Sequence, residues 1–273
     1  MASAAIETLL RRDRLVVVTA LGAVTLLAWA YIIRLALQMD MTGMDMTGFR
    51  MAVAAAGMVM RPAFEPWSAA EFAFTFAMWA IMMIGMMTPS AAPMVLLYAR
   101  VARQAAIDGK PFAPTAWFFG GYVLIWTGFS LLATVAQWLL DRAAMLTPAM
   151  SSANALLGAG VLIACGVYQW SSLKDQCLKH CQSPMHFIQQ HGGFRSAPFA
   201  SLQLGISHGL YCVGCCWALM ALLFIGGVMN VLWVASIAVF VLAEKVVRTR
   251  HLIPRLAGLL FISGGIFLLL HRP

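Results

Sequence analysis

FAFTFAMWAIMMIGMMTPSAAPMVLLY, residues 72–98, carries no Asp, Glu, Lys, Arg or His. About 20 apolar residues in a helix cross the roughly 30 Å hydrocarbon core of a bilayer, and this run exceeds that length. Backbone N–H and C=O groups find no partners in lipid, so an apolar run that is continuous, rather than alternating in period two, predicts a helix and excludes a barrel strand. Comparable runs occupy 15–37, 115–140, 152–170, 205–225 and 228–247, and a shorter one covers 256–270. Over the whole chain 62% of residues are hydrophobic and 10% charged, which excludes an ordinary soluble domain. The reading is all-α: one polytopic transmembrane helical bundle over 1–273, with about seven spans, six if the last does not cross.

Basic residues orient such a bundle. One side collects thirteen of the 18 Lys and Arg, among them Arg11, Arg12, Arg14, Arg100, Arg103, Lys174, Lys179 and Lys245, against five on the other. The richer side is assigned to the cytoplasm. The N-terminus and the Cys/His-bearing loop 171–204 are therefore expected inside, and loop 38–71 outside, in a multi-pass protein of the bacterial inner membrane. The first apolar run is too long for a signal peptide and has no clear small-residue cleavage site, so it is expected to remain as an anchor. The net charge of +8 is accounted for by lipid contact and calls for no nucleic-acid partner.

Thioether sulphur is concentrated in one region: 13 of the 19 methionines lie between residues 39 and 94. Loop 38–71 holds a perfect repeat, MDMTG at 39–43 and again at 44–48, which presents Met39, Met41, Met44 and Met46. Thioethers are soft ligands that select Cu(I) and need no deprotonation, and they survive where thiols would pair. In the next span Met78, Met82 and Met86 recur at i, i+4, i+8, and Met83 and Met87 form a second i, i+4 pair, so two helix faces carry stacked sulphur. Methionine also fills cores; adjacency to the repeat favours a ligand role. The TPSAAP segment, 88–93, is expected to break this helix, because each proline removes a backbone donor.

Five of the six cysteines lie between Cys177 and Cys216. In CLKHC, Cys177 and Cys181 are i, i+4, and His180 is i, i+3 from Cys177. In HGLYCVGCC, His208 and Cys212 are i, i+4, with Cys215 and Cys216 on the following turn. Two helical stripes of soft donors can face one another, and Lys174 and Lys179 are expected to favour thiolate. Thiolates with imidazole suit Cu(I), or structural Zn(II) if four ligands close a cage; the methionine supply favours copper, since zinc has little use for thioethers.

Cys212 and Cys215 also form a C-x-x-C, so a membrane thiol–disulfide relay stands as an alternative, and a structural or assembly subunit with inert thiols as another. Against the relay, no outer segment carries a cysteine to receive electrons. Cys165, alone in an apolar span, reads as buried filler, and Glu244 with Lys245 as an ion pair or snorkelling pair. Asn230 is expected to cap the turn after GGVMN, and His186 and His191 to be solvated loop residues. No nucleophile–base set, phosphate loop or ATPase motif is present, so a carrier is favoured over an enzyme.

The blocks GMMTPSAAPMVLLYAR (85–100), YQWSSLKDQCLKHCQSP (168–184), HGLYCVGCCWALMALLFIGGVMNVLW (208–233) and LAEK (242–245) resemble a bacterial family of predicted metal-binding integral membrane proteins. That family includes membrane copper-delivery proteins that accompany bacterial tyrosinases. The resemblance covers most of 72–247 and implies metal-site roles for Cys177, Cys181, His208, Cys212, Cys215 and Cys216, and for Met82, Met83, Met86 and Met87. It also implies an extracytoplasmic cuproenzyme as client. The MDMTG repeat lies outside the matching blocks.

Overall fold

The computed structural model describes residues 2–42, 52–54, 57–59, 67–109, 113–143, 145–146, 150, 154–193, 197–247 and 252–271, with side chains in the first helix described for 14–38. In chain order the elements are α1 (Ala2–Thr42), a small antiparallel ladder of β1 (Ala52–Ala54) with β2 (Gly57–Val59), α2 (Ala69–Ile107), α3 (Thr115–Arg142), α4 (Ala155–Tyr168), α5 (Ser172–Gln182), α6 (Pro184–Gln190), α7 (Pro198–Ala221), α8 (Leu223–Gly226), α9 (Val231–Val246) and α10 (Leu252–Leu270). The molecule is all-α apart from that ladder.

Each of the seven apolar runs contains a helix. Among the described residues, five helical segments are long and apolar enough to cross a membrane: Arg14–Gln38, Ala69–Ile107, Thr115–Arg142, Pro198–Gly226 and Leu252–Leu270. The expected span at 152–170 is cut short. α4 has 14 residues, about 21 Å of helix, and the chain then bends by 66° into α5; the two together make a sixth crossing if they are one broken span. α9 is also short, 16 residues or about 24 Å. Outward faces are apolar, as lipid contact requires: Leu26, Leu132, Leu232, Leu260 and Leu270 are largely exposed.

Local signals explain the boundaries. Ser68 and Glu71 form a capping box at the start of α2. Asn154 caps α4, Ser171 caps α5 by accepting from the Lys174 N–H, and Asn230 caps α9 as its sequence position suggested. Pro184 and Pro198 open α6 and α7, where a missing N–H costs nothing.

Two expectations are corrected. The TPSAAP segment does not interrupt α2, which runs straight through Pro89 and Pro93. Thr88 Oγ1 donates to the Ile84 carbonyl and Ser90 Oγ to that of Met87, next to the Gly85 and Pro89 carbonyls that the prolines leave without an i+4 N–H. Segment 171–204 is not an open loop but contains α5, α6 and the first turns of α7, and α5 lies against α7. His191 there stacks on Phe187 at 4.3 Å between ring centroids.

The core assembles where α7 meets α3, α2 and α5. α3 and α7 approach to backbone contact, because a Cβ on Gly205 would lie 2.0 Å from the Phe118 carbonyl oxygen and one on Gly121 2.2 Å from that of Leu202. Small residues permitting close helix crossings are the membrane counterpart of a hydrophobic seam. Among the buried polar side chains are Lys174 of α5, His208 of α7, and Glu244 and Lys245 of α9.

Candidate metal centre

α7 supplies most of the donors. His208, Cys212, Cys215 and Cys216 all face inward and are buried. Their i, i+4 and i, i+3 spacing places them on one helix face, as the sequence indicated. Cys215 and Cys216 both donate back to the Cys212 carbonyl, at 3.0 and 2.9 Å, which draws their sulphurs toward Cys212.

α5 supplies the facing stripe. Cys181 Sγ stands 3.9 Å from Cys215 Sγ, and the Cys212 sulphur lies within interacting reach of Cys181, Cys215 and Cys216. All six cysteines are free thiols. Cys177 packs on the α7 backbone at Gly214, whose carbonyl accepts from the Tyr168 hydroxyl. A C-V-G-C sequence thus has its glycine where α5 comes closest. Cys165, as expected of filler, is buried in α4.

Cys212 has the most developed surroundings. Lys245 Nζ, from the last turn of α9, donates to Cys212 Sγ at 2.9 Å and to Ser90 Oγ of α2 at 3.0 Å. The Tyr122 hydroxyl of α3 is 3.1 Å from the same sulphur and 3.1 Å from the Met87 carbonyl. α9 and α3 therefore each bring a donor to one α7 thiol, and both donors are also tied to α2. Lysine has donors only, so Cys212 accepts from it in charge-assisted fashion.

Glu244 and Lys245 do not pair with each other. Lys174 Nζ reaches both Glu244 carboxylate oxygens, at 2.9 and 2.8 Å, while Lys245 turns to the thiol. Lys174, expected to favour thiolate, is thus bound to Glu244, and the lysine on a thiol is Lys245, at Cys212 of α7. Adjacent residues on a helix point about 100° apart, which is why neighbours in sequence serve different sites.

His208 is buried with Nδ1 unpartnered, and its ring lies 5.3 Å from that of Phe187, 5.7 Å from Tyr122 and 5.9 Å from Phe118. It is an imidazole donor available at the centre's edge. His180 is differently placed: it stacks on Tyr211 at 4.1 Å, its Nδ1 meets the Gln176 carbonyl at 2.7 Å and its Nε2 meets Gln190 Oε1 at 2.8 Å. Both of its nitrogens are engaged by protein.

The α2 methionines belong to the same buried core as these thiols. Met78, Met82, Met83, Met86 and Met87 are buried, at 2% exposure or less. From Met78 to Met87 they cover about 14 Å of helix axis, and the Met87 end is the one that Tyr122 links to Cys212. Met39 and Met41 fall in the last turns of α1, where only the backbone is described, and Met44 and Met46 lie outside the described residues. Among the described residues, no three Cys, His, Asp or Glu side chains stand in a ready-made metal geometry. The arrangement is a sulphur pair with further soft donors around it.

Ser90, Tyr122 and Gly214 were not singled out from sequence, and Lys245 was read only as a partner of Glu244. One signal was available for Lys245: an ionisable residue within a lipid-spanning bundle faces the interior and marks function.

The structure is a helical bundle with thiols, thioethers and an imidazole among its buried side chains. The model of the PpoB2 copper chaperone family matches residues 76–268, and the chain belongs to that family. No curated protein and no solved structure matches it.

Proposed function

We propose that the protein is a Cu(I) carrier of the bacterial inner membrane that supplies copper to an extracytoplasmic cuproenzyme. The carrying observation is the Cys181–Cys215 sulphur pair, 3.9 Å apart across α5 and α7. With metal–sulphur bonds of about 2.3 Å, two sulphurs at that separation hold one ion between them. A soft two-sulphur site suits Cu(I), and its openness suits an ion that must be handed on. Cys212, Cys216, Cys177 and His208 stand as further donors.

In this reading the N-terminus and α5 lie on the cytoplasmic side, and copper exchanges between the thiol centre and the thioethers Met87, Met86, Met83 and Met82. The outer methionines Met39, Met41, Met44 and Met46 are the collecting or delivering end. Movement is by ligand exchange down a gradient, and the chain acts as a carrier, not a catalyst. Metal analysis and competitive Cu(I) titration of protein purified under reducing conditions test this. One tightly held Cu(I) in wild type, lost in Cys181→Ser/Cys215→Ser, is the expected result; zinc, or no metal, overturns it.

The same pair gives the thiol relay its best form, with Cys181 and Cys215 rather than Cys212 and Cys215 as the dithiol. Thiol trapping separates the two readings. A disulfide that cycles during turnover favours the relay, whereas thiols protected only when copper is bound favour carriage.

A further inference from the structure

The thiol centre is built from two elements that nothing in the local sequence holds together: α7, with Cys212, Cys215 and Cys216, and α5, with Cys177 and Cys181. α5 follows a 66° bend after α4 and is only 11 residues long. Such a short helix is marginal alone and depends on packing. Beside its packing on α7, the hydrogen bonds of Lys174 and Gln182 bring both ends of α5 to one dipeptide. From the first turn of α5, Lys174 Nζ reaches both carboxylate oxygens of Glu244, at 2.9 and 2.8 Å. At the other end Gln182 Nε2 donates to the Glu244 backbone carbonyl at 2.7 Å. The next residue, Lys245, is fastened at 2.9 Å to Cys212 of α7 and at 3.0 Å to Ser90 of α2.

Resting on the copper reading above, we infer that Glu244 and Lys245 are positioning residues: a clasp at the end of α9 that docks the Cys181 helix against the Cys215 helix and thereby sets how long copper stays in the thiol centre. Glu244 grips α5 at both ends and Lys245 grips α7. The distance between Cys181 and Cys215 is then fixed through α9 as well as by the direct packing of Cys177 on Gly214 and of His180 on Tyr211. Burial makes the grip firm, since Lys174 and Glu244 are both shielded from water, where removal of one partner strands the other charge. When the clasp is weakened, α5 swings about the bend, the sulphur pair separates and the ion leaves.

The test uses full-length protein in detergent micelles: wild type, Glu244→Gln, Lys174→Met, the charge-swapped Lys174→Glu/Glu244→Lys, and Gln182→Met. Diamide takes up two electrons and two protons as it joins neighbouring thiols, and peptide mass spectrometry reads the rate at which the Cys181–Cys215 disulfide forms, without copper. In parallel, release of bound Cu(I) to a chelator is timed. The single charge variants should slow disulfide formation and speed release by at least about tenfold, and the swap should return both to within about threefold of wild type. Gln182→Met keeps both charges and should show a loss of about threefold, which leaves the clasp testable should the charge variants not fold. Equal disulfide rates in wild type, Glu244→Gln and Gln182→Met, or a swap no better than the singles, overturns the clasp. Wild type that shows the expected disulfide pattern yet binds no copper overturns the copper reading instead.

Discussion

Cys177 rests its sulphur on Gly214: a Cβ at position 214 would lie 2.7 Å from Cys177 Sγ. The contact is where α5 comes down on α7, one residue from Cys215. It makes the glycine of C-V-G-C a packing requirement and separates its role from that of the flanking cysteines.

Gly214→Ala should therefore push α5 outward. Overpacking of this kind costs about 1–3 kcal/mol, and the copper affinity should fall with it. Shrinking the opposing residue in Gly214→Ala/Cys177→Ala should recover most of the lost thermal stability. Thermal unfolding in detergent, run as a double-mutant cycle, checks this; additive losses would mean that the two residues do not meet.

Cys181→Ser and Cys215→Ser, singly, should each lower Cu(I) affinity by more than about tenfold, and Cys165→Ser should leave it at the wild-type value. Cys165 is buried in α4, and the cysteines of the centre come from α5 and α7. Competition against a Cu(I) chelator measures the difference, and a Cys165→Ser defect equal to the others would refute the assignment.

Met82→Leu/Met86→Leu tests the α2 thioethers. Leu and Met exchange at nearly constant volume, so stability should change by less than about 1.5 kcal/mol. Binding at the thiols should persist while delivery to a copper-dependent enzyme in the same cells drops several-fold, scored by that enzyme's activity at limiting copper. Full delivery would reduce these methionines to packing.

Tyr122→Phe removes the hydroxyl that lies 3.1 Å from both Cys212 Sγ and the Met87 carbonyl. Loss of a neutral hydrogen bond of this sort costs about 1 kcal/mol. The variant should fold, bind Cu(I) roughly fivefold more weakly and exchange the amides around Met87 faster, as read by hydrogen exchange. Wild-type affinity would show that the hydroxyl serves α2 alone.

Much of this architecture can be seen in the residues themselves. Periodicity places His208, Cys212, Cys215 and Cys216 on one face, and Cys177 with Cys181 on another, because i, i+4 spacing is a property of any helix. The Asn230 cap and buried Cys165 follow from equally local rules. What the sequence conceals is who meets whom at long range. Lys174 lies 70 positions from Glu244 and Lys245 33 from Cys212, and adjacency misleadingly suggested that Glu244 and Lys245 pair. Nor do two prolines announce an unbroken α2, which runs from Ala69 to Ile107 with Pro89 and Pro93 inside it.

The shortness of α9 carries a consequence of its own. At about 24 Å the helix is shorter than the roughly 30 Å of a bilayer core, and in its final turn Glu244 and Lys245 are almost fully buried. One extra turn would carry both side chains about 5 Å further along the axis, away from Lys174 and Cys212. Inserting four alanines ahead of Glu244 would thus erase the internal ion pair and the lysine–thiol contact while leaving every donor residue in place. In this protein a helix length, as much as any ligand, decides whether there is a site at all.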